Sequence, residues 1–179
     1  MSNELIGQFL DDDALKAMET IKTSADIKKI ISASEKIAAI FGNSSDFKNA
    51  AKDKSNGESK LVNSFKNNLQ LLVQKTWVEK NDVELKEQAL YQLTQFCQSF
   101  SQKIYAATYK QFLEILNNVV FLMFGTQSRT PEFEEYALRI DPEFGIFWWY
   151  IKNLPTETDW SDEKCRAVIL LGMFFLANY

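Results

Sequence analysis

Phe144-Gly145-Ile146-Phe147-Trp148-Trp149-Tyr150-Ile151, entered through Asp141-Pro142, sets seven large apolar or aromatic side chains around one glycine. On a helix beginning at Pro142, Phe144, Phe147, Trp148 and Ile151 share one face, while Ile146, Trp149 and Tyr150 cover other directions. A helix apolar nearly all round is either buried at the centre of a fold, or buries one face and offers the other to a ligand or partner. Adjacent Trp148 and Trp149 point about 100° apart, and each indole N–H needs an acceptor if buried, which places both more easily at a wet boundary. Glu132, Glu134, Glu135, Asp141, Glu143, Glu157, Asp159 and Asp162 surround the block. An aromatic anchor in an acidic rim suits a basic protein partner or a cationic ligand. The candidate interaction surface is therefore Glu134, Glu135, Asp141, Glu143, Trp148, Trp149 and Tyr150, with Trp160 from the acidic loop after Pro155.

The flanks read as helices. Thr130-Pro131 opens a short one whose apolar face is Phe133, Tyr136, Ala137 and Ile140, with Pro at the first position. Leu154-Pro155 breaks the aromatic helix, and Ser161-Asp162-Glu163 caps a last one through Cys165, Val168, Ile169, Leu171, Phe175 and Leu176. Its strongly apolar run, Ala167 to Ala177, is well short of the about 20 residues that span a bilayer, so it predicts a buried C-terminal helix and no transmembrane segment.

Further upstream, Asp11-Asp12-Asp13 puts negative charge at the start of a helix carrying Leu15, Met18 and Ile21. Ser24-Ala25-Asp26 opens another with Ile27, Ile30, Ile31, Ile37, Ala38 and Phe41 at helical spacing, closed by Gly42. Residues 43–58 are rich in Asn, Ser, Lys, Asp and Gly, with Asn56-Gly57 as a turn signal, and read as a mobile polar loop. A helix resumes with Leu61, Val62, Phe65, Leu69, Leu72, Val73 and Trp77 on one face, ended by Asn81-Asp82. From Val83 to Phe124 there is neither Pro nor Gly; one helix of that length would run roughly 60 Å, so a break is expected near Tyr105–Tyr109.

With three Pro and six Gly in 179 residues, turn signals are too few for a sheet protein, and 24 aromatic residues supply ample apolar area for a core. The expectation is one all-α domain over 1–179, an irregular bundle of about six to eight helices. Cys97 and Cys165 lie among apolar residues as buried thiols, and the start of the chain lacks a signal peptide, which points to the cytoplasm.

The chain has no histidine. That removes Ser-His-Asp and Cys-His catalysis and the common zinc and carboxylate-histidine iron sites together. Ser45-Asp46-Phe47-Lys48 and Ser161-Asp162-Glu163-Lys164 match a Ser-x-x-Lys pattern that chance supplies readily, without its companion motifs. No glycine-rich phosphate loop and no calcium loop is present, so no cofactor or metal is expected. A net charge of −4 and pI near 5.0 work against nucleic-acid binding. Lys48, Lys52, Lys54 and Lys60 form a local basic stretch, but Asp46, Asp53 and Glu58 interrupt it, and no Arg precedes Arg129.

These observations point to a noncatalytic protein-interaction module, of an inhibitor or immunity kind, acting through the acidic, aromatic C-terminal half on a basic partner. The alternative is a carrier holding a hydrophobic molecule or lipid in a Phe-rich cavity. Homo-oligomerisation is compatible with either, and an enzyme using carboxylates or tyrosines is the weakest reading.

Overall fold

The computed structural model describes residues 3–74 and 83–179. Among them every regular element is helical and no strand occurs: α1 (Asn3–Ile6), α2 (Asp12–Thr23), α3 (Ile27–Ile40), α4 (Ser45–Lys52), α5 (Asn56–Gln74), α6 (Val83–Ser101), α7 (Tyr105–Phe124), a 3-10 turn (Gly125–Arg129), α8 (Phe133–Ile140), α9 (Pro142–Asn153) and α10 (Asp162–Asn178). The all-α bundle follows from the scarcity of breakers. Trp77 and the Asn81-Asp82 boundary lie outside the described residues.

Short polar side chains set four of the helix starts. Asp11, Asp26, Asp141 and Ser161 each accept a hydrogen bond from an N–H in the first turn of α2, α3, α9 and α10, satisfying donors that no helix can pair internally. The long 83–124 stretch divides at residues 102–104, where Lys103 takes a left-handed φ of 63°. That is just ahead of the expected site, and only a strained non-glycine backbone marks it.

The expected polar loop at 43–58 is instead largely helical. Ser45–Lys52 forms α4 and Asn56 already begins α5, so Asn56-Gly57 opens a helix rather than a turn. Phe47 and Ala50 anchor α4 in the core, with Phe47 set edge-on to Phe174 at 6.4 Å. Apart from half-buried Ala51, the remaining side chains of α4 face solvent, which is why its composition reads as loop. Gly57 lets the two helices close up, since a Cβ there would collide with the Asn49 carbonyl.

Helix α10 is the axis of the fold. It packs against α3, α4, α5, α7 and α9, and every residue from Lys164 to Leu176 is buried. One contiguous hydrophobic cluster takes side chains from all the helices, α1 to α10. Phe147 of α9 stacks on Phe175 of α10 at 4.1 Å, with Phe41 edge-on to the same ring at 4.4 Å. Phe65, Phe96 and Phe112 join α5, α6 and α7 in the same way.

Two cations are buried in the axis, and both terminate other helices. Lys164 Nζ donates to the carbonyls of Lys22 (3.2 Å) and Ser24 (2.8 Å) at the end of α2. Arg166 donates to Ala50 O (2.5 Å) and Ala51 O (3.3 Å) at the end of α4, and through Nε to Glu58 Oε2 of α5 at 2.6 Å. Tyr105 at the start of α7 donates its hydroxyl to the same Glu58 oxygen at 3.1 Å. The last carbonyls of a helix lack internal partners and carry its negative pole, so a cation satisfies both needs.

Arg166→Met is expected to cost about 3–5 kcal/mol, because it leaves Glu58 charged and unpaired in the core; adding Glu58→Leu should recover part of that loss in urea unfolding. Gly145→Ala tests the packing of α8 on α9. A Cβ at this position would lie 2.6 Å from the backbone of Leu138, so the substitution should destabilise by about 1–3 kcal/mol although alanine is the better helix former. A raised thermal midpoint would contradict the close approach.

Candidate functional site

The aromatic block belongs to the core. Trp148, Trp149 and Tyr150 are 6%, 7% and 1% exposed, and α9 is buried without interruption from Phe144 to Ile151. Trp148 sits edge-on to Phe133 at 5.7 Å, and Tyr150 donates to Val168 O of α10 at 3.3 Å. These three residues therefore cannot serve as exposed anchors, contrary to the reading of their sequence. The expectation that paired indoles need a wet boundary fails at Trp148, whose Nε1 is buried without a hydrogen-bond partner. The surrounding apolar contacts outweigh one unmet donor, a cost of about 1–3 kcal/mol.

Burial of α9 decides what α8 exposes. Gly145 brings the α9 backbone onto Leu138, and α8 turns Phe133, Glu134, Ala137 and Leu138 inward. The apolar stripe Phe133, Tyr136, Ala137, Ile140 is thus split. Its second and fourth members, Tyr136 and Ile140, stand 43% and 66% exposed, one turn apart. Sequence periodicity placed both in the core; the only local hint of this rotation is a glycine amid bulky neighbours.

The predicted carboxylates scatter into different roles. Glu134 is buried, with Oε2 at 4.0 Å from Lys152 Nζ. Glu135 is exposed and accepts from Arg139 at 2.8 Å. Asp141 caps α9 through the Phe144 N–H at 3.2 Å and accepts from the Tyr179 hydroxyl at 2.5 Å. Glu143 is exposed at the start of α9. Glu132, Glu135 and Glu143 are exposed within seven chain positions of Tyr136, as is Arg139.

Trp160 belongs elsewhere. Its ring lies 5.5 Å from that of Tyr109, with Lys164 Nζ over it at 4.2 Å. Phe133 of α8 meets Phe124 at the other end of α7. At 1.5 Å per residue, Tyr109 and Phe124 are about 22 Å apart along that helix. Trp160 and the outer face of α8 do not form one surface.

Stacked and edge-on ring pairs join the helices through the hydrophobic interior. The hollows at the surface have mixed linings, such as Asp46, Asn49, Gly57, Lys60, Leu61, Ser64, Ala177 and Asn178 between α4, α5 and α10. Among the described residues no group of three or more Cys, Asp and Glu is placed to hold a metal, and no helix is long and apolar enough to cross a membrane.

The thiols are held in their protonated, unreactive form. Burial pushes Cys97 up to about 11, against a small opposing effect of Lys66, and Cys165 up to about 11, helped by Asp162. Burial, then the charge of Glu58, pushes the Tyr105 hydroxyl up to about 12. Because folding favours the protonated forms, their contribution is complete below the unfolded thiol value of 9.0 and is lost as pH rises through 11 to 12.

Native protein at pH 8 should thus react with a thiol reagent at least about tenfold more slowly than the urea-unfolded chain, and its thermal midpoint should fall above pH 9. Trp149→Asp is expected to destabilise by more than about 4 kcal/mol, seen as loss of cooperative unfolding, since it buries an unpaired charge.

Comparison with protein-family models, with curated proteins and with solved structures gives no match, so the chemistry of the α8 face must carry the functional reading.

Proposed function

We propose that this protein is a noncatalytic protein-binding module whose contact surface is the outer face of α8 and the start of α9, and whose partner is basic. The observation that carries the reading is the exposure of Tyr136 and Ile140, one turn apart, on a helix whose other apolar side chains are buried. Large apolar side chains held exposed on a rigid helix suit the centre of an interface, where aromatic and aliphatic anchors supply most of the binding energy. Charge supports the choice of partner: residues 130–163 carry nine acidic side chains against Arg139 and Lys152. Both cations already face carboxylates, Glu135 and Glu134. The excess therefore favours positive surfaces during encounter and disfavours acidic ones. The absence of histidine from the sequence and the protonated thiols support a binding role over catalysis.

Affinity capture from the source cells tests the surface. Ile140→Asp and Glu143→Lys should each weaken retention of a salt-sensitive partner by about tenfold or more without changing the thermal midpoint. Glu157→Lys, in the loop near the Tyr109 end of α7, should retain it. Undiminished capture by both Ile140→Asp and Glu143→Lys would overturn the assignment.

A further inference from the structure

We propose that the notch beside Tyr136 receives one arginine or lysine side chain of the basic partner, an inference that rests on the α8 reading and specifies it. The notch is lined by Gln127 and Thr130 from the turn before α8, and by Glu132, Phe133 and Tyr136 at its start. Its volume of about 210 Å³ lies below the 300–1,000 Å³ of sites that enclose a drug-sized molecule. A single side-chain head is the appropriate occupant.

The lining offers one accessible aromatic ring, that of Tyr136, beside the Glu132 carboxylate and the Thr130 hydroxyl. The rings of Phe133 and Tyr136 lie 6.1 Å apart, inclined by 34°, with Phe133 buried and Tyr136 open to solvent. An aromatic face attracts a guanidinium or ammonium through its negative quadrupole. Thr130 commits its hydroxyl hydrogen to Gln127 O at 2.8 Å, so its oxygen remains as an acceptor. Glu132 is exposed and takes part in no ion pair among the described residues.

The chain's own nearby cations are engaged elsewhere. Arg129 lies over the Phe121 ring at 4.4 Å, Arg139 holds Glu135 at 2.8 Å, and Lys152 lies 4.0 Å from Glu134. The N-terminus of α8 presents about half a positive charge, which the full charge of Glu132 outweighs. An anion would meet the charge of Glu132 directly, and an apolar group would gain nothing from it, so a cation is the ligand class that uses both the carboxylate and the Tyr136 ring.

The test is an amide NMR titration of the isotope-labelled full chain with acetylated tetra-arginine amide, with tetra-lysine and tetra-glutamate as comparisons. The expected result is saturable shifts centred on Gln127, Thr130, Phe133 and Tyr136 for both basic peptides and none for tetra-glutamate. Glu132→Gln and Tyr136→Leu should weaken binding by about fivefold or more, and Tyr136→Phe should retain it within about twofold, because the ring face is kept. Both positions are at the surface, and matched thermal midpoints would verify folding. Absence of saturable binding, or shifts spread over the acidic surface that the variants leave unchanged, would overturn the notch. If that happens while Ile140→Asp still abolishes partner capture, the α8 face stands and only the notch is wrong. If tetra-arginine binds at the notch while Ile140→Asp captures normally, the notch stands and the wider surface is wrong.

Discussion

The Arg166 guanidinium is the contact on which the arrangement of helices depends. It projects from the central helix and joins the ends of α4 and the start of α5 to α10, while Tyr105 brings α7 to the same carboxylate. Removing these charges from water costs several kcal/mol each, so the pair is not a simple source of stability. What it supplies is specificity of placement. The guanidinium, the carboxylate, the Tyr105 hydroxyl and two terminal carbonyls of α4 are satisfied together where α4, α5, α7 and α10 meet. Lys164, two residues earlier, does the same for the end of α2.

The candidate surface follows from packing around that axis. Helix α9 lies on α10 through the stacked Phe147 and Phe175 rings, and α8 lies on α9 through the gap left by Gly145. These two contacts fix the rotation of α8 and leave Tyr136 and Ile140 outside. Exposed apolar groups are common, but two on one short helix beside Glu132 and Glu143, which make no ion pair among the described residues, form a patch with a preferred chemistry. The notch at Gln127, Thr130, Glu132, Phe133 and Tyr136 lies at the end of that patch where the 3-10 turn delivers the chain into α8.

Helix class, most starts and stops, and the burial of α10 were legible because they depend on nearest neighbours. Asp11, Asp26, Asp141 and Ser161 cap within three residues, and the run from Ala167 to Ala177 has no polar face to offer water. Helix α4 was not legible: Phe47 and Ala50 are its whole buried face, and its C-terminal partner, Arg166, lies more than one hundred residues away in sequence. The aromatic block was ambiguous for a related reason. A helix apolar on all sides can be central or half exposed, and periodicity does not separate the two.

By itself the sequence determined that this chain is helical, rich in aromatic side chains, acidic in its C-terminal half and without histidine chemistry. Those properties belong to residue types and to contacts within a few positions. Tertiary structure decided which apolar residues reach solvent: Trp148, Trp149 and Tyr150 are enclosed, whereas Tyr136 and Ile140 emerge from a stripe that predicts core. The reason is that a helix can bury any of several faces, and the choice rests with its neighbours, here with the close approach at Gly145 and the axis set by Arg166.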